Sequence, residues 1–239
     1  NYGSLVYGKK IPWNNNGPLN FVRQLYLGEE WGLDWPQNFA GFAQKAKLCY
    51  TSTAPMIAFL FVPNEGVNPV SLKEEIRSLF GCGKHSCHIN DTHEETMRIA
   101  RVYFNNNSLH HVNNAKYVYW HRFQPQFEYY KNFIKENNLD PEKYCVTASS
   151  VLSLYGLREG QDLDYLHDWG EIGGHDDIHS HNNEIEKYTT TRDDILYNPK
   201  NHFWHDGVKV ASLGVIRDLK EKRNEPKDVQ DIQLVGSIM

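Results

Sequence analysis

Two aspartates, Asp162 and Asp164, are the side chains whose type and spacing point most clearly to chemistry. They flank Leu163 in a short run that predicts a β-strand, so both carboxylates leave the same face of that strand. Carboxylate oxygens are preferred ligands of Mg2+ and Mn2+, and phosphate oxygens commonly complete the coordination. The pair therefore predicts a divalent-cation site for a nucleotide diphosphate or triphosphate, and the alternative is a surface strand with two solvated acids.

The elements before this pair are expected to position it. Residues 144–147 form a β-type run, Ala148, Ser149 and Ser150 form a turn of small residues, and an apolar helix-like stretch follows. Asp162 comes about a dozen residues after the turn. This order predicts a strand, a tight turn, a helix and then the strand that bears the acids.

This order resembles the signature of the nucleotidyltransferase-fold superfamily, a small-residue turn followed by Asp-x-Asp on a strand. The turn of that family is usually Gly-Ser, and here it is Ala148-Ser149. The resemblance implies that Ser149 and Ser150 contact donor phosphates and that Asp162 and Asp164 hold Mg2+ or Mn2+. Ala148 departs from the glycine that is usual at its position.

The end of the chain adds to the resemblance. A predicted hairpin, a Ser212-Leu213 helix start and a late Lys227-Asp228 pair are similar to the closing elements of antitoxin-type and sugar-modifying members of this fold. The resemblance implies a donor-binding role for Lys227, and Arg158 is a further donor-binding candidate. The alternative is that Lys227 and Asp228 only cap and orient the final helix.

A histidine-rich run follows the acids. If it is extended, His175, Asp177, His179 and His181 share one face and could complete a metal site or supply a general base. The resemblance implies a third carboxylate from a later strand, for which Asp177 is the first candidate and Asp206 the second. His179 is a candidate to take the acceptor proton. Three imidazoles and a carboxylate would suit zinc better than magnesium, and a flexible loop is the alternative.

A polar loop in the first half of the chain is a second candidate site. Residues 87–90 are predicted to be a strand that runs into a helix capped by Thr92, which would expose unpaired backbone N–H groups to a phosphate or a sugar. Lys84 and His85 could reinforce that site, and an ordinary helix cap is the alternative. Residues 84–95 and the His-Ser-His-Asn run ending at Asn182 also resemble surface-glycan transferases of capsule-forming bacteria and large algal viruses. That resemblance favours a carbohydrate acceptor.

The composition excludes some classes of function. The chain has 239 residues and a net charge of -5, which argues against a broad nucleic-acid-binding surface. The longest apolar run is too short to span a membrane, and no signal-peptide pattern opens the chain. A soluble, cytoplasmic protein is therefore expected. Its four cysteines are too few and too irregular for a disulfide scaffold.

The pattern of elements predicts an α+β fold with a smaller N-terminal α/β lobe. The resemblance implies that the other part is a nucleotidyltransferase-like mixed sheet flanked by helices. We expect a packing arm at residues 1–50, the small lobe at 51–140 and the catalytic lobe at 141–239. The main predicted elements are a helix near 35–48, a central strand at 54–62, a helix at 71–80 capped by Ser71, helices at 92–104 and 124–138, a hairpin at 201–211 and two closing helices that start after Ser212 and at Pro226.

Taken together, these residues predict a metal-dependent transferase. The expected reaction moves a sugar from a nucleotide-sugar, most readily a UDP-sugar, to a hydroxyl of a glycan acceptor in surface-glycan synthesis. The alternatives are transfer of a nucleoside monophosphate from a triphosphate to protein, RNA or a small molecule, and transfer of a phosphosugar from a CDP-linked donor. A binding module or antitoxin-like domain that keeps only the fold is the non-enzymatic alternative.

Overall fold

The chain folds as an α+β protein of two compact units, which divide between Phe104 and Asn105 in the computed structural model. The structure describes residues 2–14, 16–33, 38–52 and 54–239. The start of the helix predicted near residue 35 lies outside these ranges.

The N-terminal unit contains a two-stranded antiparallel sheet and several helices. Strand β1 (Gly3–Ile11) pairs with β2 (Met56–Pro63) along almost its whole length. The rings of Phe21 and Tyr103 lie 4.6 Å apart in its core. The helices among the described residues are α1 (Gly17–Leu25), α2 (Ala40–Cys49), α3 (Pro69–Phe80) and α4 (His93–Tyr103), with short 3-10 turns at Glu30–Gly32 and Gly83–His85.

Three predictions for this unit were wrong in detail. The predicted central strand is β2, which belongs to a two-stranded sheet. Residues 87–90 form no strand, because the Cys87 carbonyl accepts hydrogen bonds from the Arg77 guanidinium instead of a neighbouring strand. Helix α3 begins at Pro69 and not after Ser71, because the Asn68 side chain accepts from the amides of Val70 and Ser71 and caps it.

The C-terminal unit is built on a five-stranded mixed sheet with the strand order β5-β4-β3-β7-β6. The central strand β3 runs antiparallel to β4 and parallel to β7, while β4 and β5 are parallel. Strands β6 and β7 form the predicted hairpin. The strands are β3 (Tyr144–Thr147), β4 (Leu163–His167), β5 (Ile178–Ser180), β6 (His202–His205) and β7 (Val208–Ala211).

The helices of this unit agree well with the sequence pattern. Ser212 caps α9 by accepting from the Val215 amide, and Pro226 opens α10, as predicted. The helix predicted at 124–138 is α6, shifted by one or two residues at its ends. The helices are α5 (Asn106–Asn114), α6 (Phe123–Glu136), α7 (Ser149–Leu154), α8 (Arg192–Tyr197), α9 (Leu213–Arg223) and α10 (Pro226–Gly236), with 3-10 segments at Pro141–Lys143 and Asn182–Lys187.

The division into two units differs from the three parts predicted with boundaries at residues 50 and 140. Residues 1–50 do not form a separate arm, because β1 supplies half of the N-terminal sheet. Residues 105–140 belong to the C-terminal unit, where Phe127 and Tyr130 are buried in the core and the Tyr130 ring lies 5.7 Å from Tyr165 of β4. No helix among the described residues has the length and apolar character that a membrane span requires.

A buried histidine should make the stability of this unit depend on pH. The His111 side chain is fully buried, its Nε2 donates to the Leu154 carbonyl, and its ring stacks on Phe203. Burial, with a smaller contribution from His205, lowers the pKa of His111 well below its usual range. The unfolded chain therefore binds a proton that the folded chain excludes below about pH 6.5.

We expect the free energy of unfolding to fall as the pH is lowered below about 6.5, with His111 contributing a slope of at most about 1.4 kcal/mol per pH unit. His111→Gln keeps an N–H donor and removes the titration, so its stability should depend less steeply on pH. Urea unfolding of both proteins across this range measures the two slopes. Equal slopes would show that His111 does not titrate on unfolding.

Candidate cation and phosphate site

The predicted strand, turn, helix and strand are present in the predicted order. β3 ends at Thr147, α7 begins at Ser149, and the chain returns as β4, in which Asp164 pairs directly with Thr147. Because β3 and β4 are antiparallel, the turn at Ala148 and the start of β4 lie at the same end of the sheet. The sheet therefore brings the small-residue turn and the acid pair together.

The turn has a backbone conformation that favours glycine. Ala148 precedes α7 with φ 52° and ψ -135°, and its side chain is buried. This region is open to glycine but sterically costly for residues that carry a Cβ atom. The resemblance implies glycine at this position, and the backbone here has a conformation that glycine adopts readily. Ala148 adopts the same conformation at a cost in backbone strain.

Substitutions at Ala148 should separate strain from packing. Ala148→Val adds a β-branched side chain to a positive-φ residue and is expected to destabilise the protein by about 2 kcal/mol or more. Ala148→Gly relieves the strain but loses a buried methyl group and gains freedom in the unfolded chain, so its stability should stay within about 1 kcal/mol of the parent. Denaturant unfolding measures both changes. A valine variant as stable as the glycine variant would contradict the strained conformation.

The two serines of the turn have different environments. The Ser150 hydroxyl is fully buried, donates to the Asp162 carbonyl at 3.3 Å and accepts from the Asp164 amide at 3.2 Å. Ser150 therefore fixes α7 to the start of β4, and its hydroxyl is committed to the backbone of the acid strand. Ser149 is the first residue of α7 and is partly exposed. Of the two serines, it is therefore the one accessible to a nucleotide donor.

The two acids differ in burial. Asp162 is partly exposed just before β4, and Asp164 lies within β4 with 7% of its surface exposed. Their separation by one residue places them on the same face of the strand. Burial and then the Asp162 charge raise the pKa of Asp164 from 3.8 to about 7, while the positive charges of Arg223, Lys220 and Lys227 act in the opposite direction. The site thus concentrates negative charge beside three cationic side chains.

A chain of polar side chains lies behind Asp164. His181 Nε2 lies 3.5 Å from Asp164 Oδ1, and His181 Nδ1 lies 2.9 Å from the Tyr188 hydroxyl. That hydroxyl lies 3.0 Å from Thr147 Oγ1 on β3. Burial lowers the pKa of His181, and the Glu184 carboxylate partly opposes this shift. The sequence pattern placed His181 on the histidine-rich face but did not indicate Tyr188 or Thr147.

The cationic side chains come from the corner between α9 and α10. Lys220 and Arg223 lie in the last turn of α9, and Lys227 lies in the first turn of α10. The Lys220 amine is buried between the carboxylates of Asp231, at 2.5 Å, and Asp228, at 3.4 Å. The Lys227 side chain is 67% exposed and pairs with Glu225 at 3.0 Å. Lys227 can therefore reach a ligand, as its predicted donor-binding role requires.

The remaining members of this network have structural partners. Arg223 donates to Asp228 from two nitrogens, and Asp228 Oδ2 also accepts from the Glu225 amide in a capping box. Asp228 therefore caps the final helix. This agrees, for Asp228, with the alternative that the Lys227-Asp228 pair only caps and orients that helix. Arg158, a predicted donor-binding residue, forms a two-point ion pair with Asp231 that joins the loop after α7 to α10.

The histidine-rich run is only partly extended, because β5 spans three residues. His179 pairs in register with Asp164 and is exposed, and the Asp177 carbonyl accepts from the Leu163 amide at the same end of the sheet. His175 lies outside β5, and its ring packs 5.0 Å from the ring of Tyr129. Asp177 and His179 thus remain beside the acid strand.

The prediction of Asp206 as a candidate for the third carboxylate was wrong. It lies in the turn before β7, with φ 49°, near Lys131 and His205. Because β7 is parallel to β3, this turn lies at the start of β3, whereas the acids lie at the end of β3. Within the part of the chain that the structure describes, no three His, Cys, Asp or Glu side chains are grouped closely enough to hold a metal ion.

The other predicted donor-binding residues belong to the N-terminal unit, whereas the acids belong to the C-terminal unit. The carbonyl of Lys84 and Nδ1 of His85 both lie within 3.3 Å of the Lys45 amine. Thr92 caps α4 by accepting from the Glu95 amide. The Glu95 carboxylate accepts from the amide of Asp91, the residue before the cap. For Thr92, the structure fits the ordinary helix cap.

Comparison of the chain with protein-family models, curated proteins and solved structures finds no match to any of them.

Proposed function

We propose that this protein is a divalent-cation-dependent transferase that uses a nucleotide-activated donor. Transfer of a nucleoside monophosphate from a triphosphate is the reaction that the site supports best. The observation that carries the proposal is the acid pair at the start of β4, held by Ser150 beside the glycine-type turn at Ala148. A small-residue turn followed by two aspartates on a strand is the arrangement that the nucleotidyltransferase resemblance implies.

The residues present fit a hard divalent cation. Mg2+ commonly takes one or two protein carboxylates and completes its coordination with phosphate oxygens and water, so Asp162 and Asp164 suffice as protein ligands. Burial and the Asp162 charge raise the pKa of Asp164, which indicates like charges held together without full compensation. A bound Mg2+ or Mn2+ would compensate them and would also stabilise the charge that develops on the transferred phosphate.

The cationic corner supplies the second requirement of a nucleotide donor. The Lys227 side chain is largely exposed, and Arg223 and Lys227 both lie close enough to influence the pKa of Asp164. Guanidinium and ammonium groups are the usual protein partners of phosphate. We assign the donor phosphates to the space between this corner and the acid pair.

In the proposed reaction, an acceptor hydroxyl oxygen forms a bond to the α-phosphorus while the bond to the pyrophosphate oxygen breaks. The acceptor proton must leave, and His179 is the exposed base in register with Asp164. Arg223 and Lys227 hold the leaving pyrophosphate by charge. The non-enzymatic alternative predicts none of these steps.

Sugar transfer from a UDP-sugar to a glycan is the second candidate, together with phosphosugar transfer from a CDP-linked donor. These donors present a diphosphate with the same oxygen chemistry to the acids and to the cationic corner. The resemblance of residues 84–95 to surface-glycan transferases is the feature of the sequence that favours this candidate. It would require a carbohydrate acceptor in place of protein, RNA or a small molecule.

A thermal-shift screen separates these functions. The full chain is heated with nucleoside triphosphates, UDP-sugars or CDP-alditols, each with and without Mn2+ or Mg2+. A metal-dependent rise in Tm with triphosphates is expected, and a response restricted to UDP-sugars or CDP-alditols would assign the second candidate. Asp168→Asn, at an exposed residue beyond the other end of β4, is the matched control and should respond like the parent. No metal-dependent response to any donor would overturn both candidates.

A further inference from the structure

We propose that Tyr188 and His181 position the carboxylate of Asp164 through a chain of polar contacts that begins at Thr147. His181 acts in this chain as a positioning residue. The role of Asp164 as a cation ligand rests on the proposed function, whereas the chain itself can be tested in the metal-free protein.

The chain is continuous and largely shielded from solvent. Thr147 Oγ1 and Tyr188 Oη are hydrogen-bonded at 3.0 Å, and so are Tyr188 Oη and His181 Nδ1 at 2.9 Å. The last link is an ion-pair contact, in which His181 Nε2 lies 3.5 Å from Asp164 Oδ1. Thr147 is fully buried, Tyr188 is 4% exposed and the His181 side chain is 16% exposed. Few water molecules can therefore compete for these groups.

When Asp164 is ionised, its carboxylate constrains the order of donors in this chain. A neutral imidazole carries one ring N–H. If Nδ1 carried it, the Nε2 lone pair would face a carboxylate oxygen, and two acceptors would repel each other. If Nε2 carries it, the N–H faces Oδ1, Nδ1 accepts from the Tyr188 hydroxyl, and Tyr188 accepts from Thr147. Only the second order gives Asp164 a donor.

The backbone holds both ends of the chain in place. The His181 amide donates to the Tyr165 carbonyl of β4 at 2.8 Å. Lys222 donates to the carbonyls of Glu186 and Tyr188, at 2.6 and 2.7 Å. The 3-10 segment between His181 and Tyr188 is thus fixed to β4 at one end and to α9 at the other. The imidazole is therefore held against Asp164.

Such a chain has a functional consequence. Groups that orient a metal ligand typically change metal affinity by about 10-fold to 100-fold when they are removed. His181 orients the carboxylate of Asp164, whereas Asp162 lies at the more exposed start of the strand. The chain would fix one of the two ligands before the cation arrives.

The first test uses the metal-free protein. Long-range proton–nitrogen NMR correlations of the full chain, recorded at a pH above the raised pKa of Asp164 so that its carboxylate is ionised, report which nitrogen of His181 carries the proton. We expect the Nε2–H tautomer in the parent and a mixture of tautomers in Asp164→Asn, which keeps the size of the side chain and loses the carboxylate. An Nδ1–H tautomer in the parent would overturn the proposal whether or not the protein binds a cation.

The second test measures Mn2+ affinity by electron paramagnetic resonance without any donor. Tyr188→Phe and His181→Ala should bind Mn2+ about 10-fold more weakly than the parent, and His181→Gln, which keeps an N–H donor, should recover most of the affinity. His121→Ala, an exposed histidine of the same unit, is the control. Unchanged Tm values would show that the losses are not general destabilisation.

The outcomes distinguish this proposal from the proposed function. Equal Mn2+ affinities in the parent and in Tyr188→Phe, with binding lost in Asp162→Asn, would overturn the positioning chain and leave the cation site in place. Nitrogen hyperfine coupling to bound Mn2+ that disappears in His181→Ala would show that His181 is itself a ligand and would also overturn it. An Nε2–H tautomer without any Mn2+ binding would support the chain and contradict the proposed function.

Discussion

Replacing Asp162 and Asp164 together by asparagine is expected to abolish metal-dependent donor binding and to reduce any transfer activity at least about 100-fold. The amide keeps the size of the side chain but removes the negative charge that attracts a divalent cation. Asp162→Asn and Asp164→Asn alone should each lose most of the binding, since Mg2+ then has one protein carboxylate. Isothermal titration with Mn2+, with and without a nucleoside triphosphate, measures these losses.

The same double variant should fold normally. In the parent, burial and the Asp162 charge disfavour the ionised form of Asp164, so the asparagines remove an unfavourable pair of like charges. The metal-free variant is therefore expected to have a Tm equal to or above that of the parent. Asp168→Asn serves again as the control on the same segment. Metal-dependent binding that survives the double substitution would show that the cation site has been assigned to the wrong residues.

Lys220→Met is expected to reduce the free energy of unfolding by about 3–5 kcal/mol, the largest stability effect among the substitutions considered. The Lys220 amine is buried between Asp231 and Asp228, which also pair with Arg158 and Arg223. Methionine retains the apolar stem but leaves two buried carboxylates with one cation fewer. Breaking one partner of a buried ion network is costly because the remaining charges lose their compensation.

The matched control is Lys227→Met, whose parent side chain is 67% exposed. Its effect on stability should be within about 0.5 kcal/mol, because exposed ion pairs contribute little. Urea unfolding of the parent and both variants measures the difference. If Lys220→Met were no less stable than Lys227→Met, the buried network would not hold α9 and α10 together.

The elements that the sequence predicted well are those set by local chemistry. The acid strand, the hairpin of β6 and β7, the Ser212 cap and the Pro226 helix start all depend on residues within a few positions of each other. Turn geometry, capping and alternating polarity are local rules. The part of the site that lies on β3, α7 and β4 was therefore accessible from the sequence.

The parts that were mispredicted depend on pairing between distant segments. β1 and β2 lie more than 40 residues apart in sequence, so β1 was assigned to an irregular arm. Asp206 was a reasonable third ligand by sequence order, but the parallel pairing of β7 with β3 places it at the wrong end of the sheet. The absence of a strand at residues 87–90 follows from a side-chain contact with Arg77 that no periodicity indicates.

The site predicted from the sequence was incomplete for the same reason. Tyr188 and Thr147 contact each other across 41 positions, and neither belongs to a recognisable motif. The spacing of Lys220, Arg223 and Lys227 does place cations at regular intervals around a helix corner, and this signal could have indicated a phosphate-binding surface. Lys220 itself proves to be structural, since both of its partners are buried carboxylates.

The central claim is that the acid pair holds a divalent cation which also contacts the phosphates of a nucleotide donor. Electron–nuclear double resonance of the full chain with Mn2+ and a nucleoside triphosphate tests this claim most directly. We predict phosphorus hyperfine coupling to protein-bound Mn2+ in the parent, and its loss when Asp162 and Asp164 are both asparagine. Mn2+ that binds the parent without phosphorus coupling to any nucleotide donor, or coupling that survives in the double variant, would contradict the account.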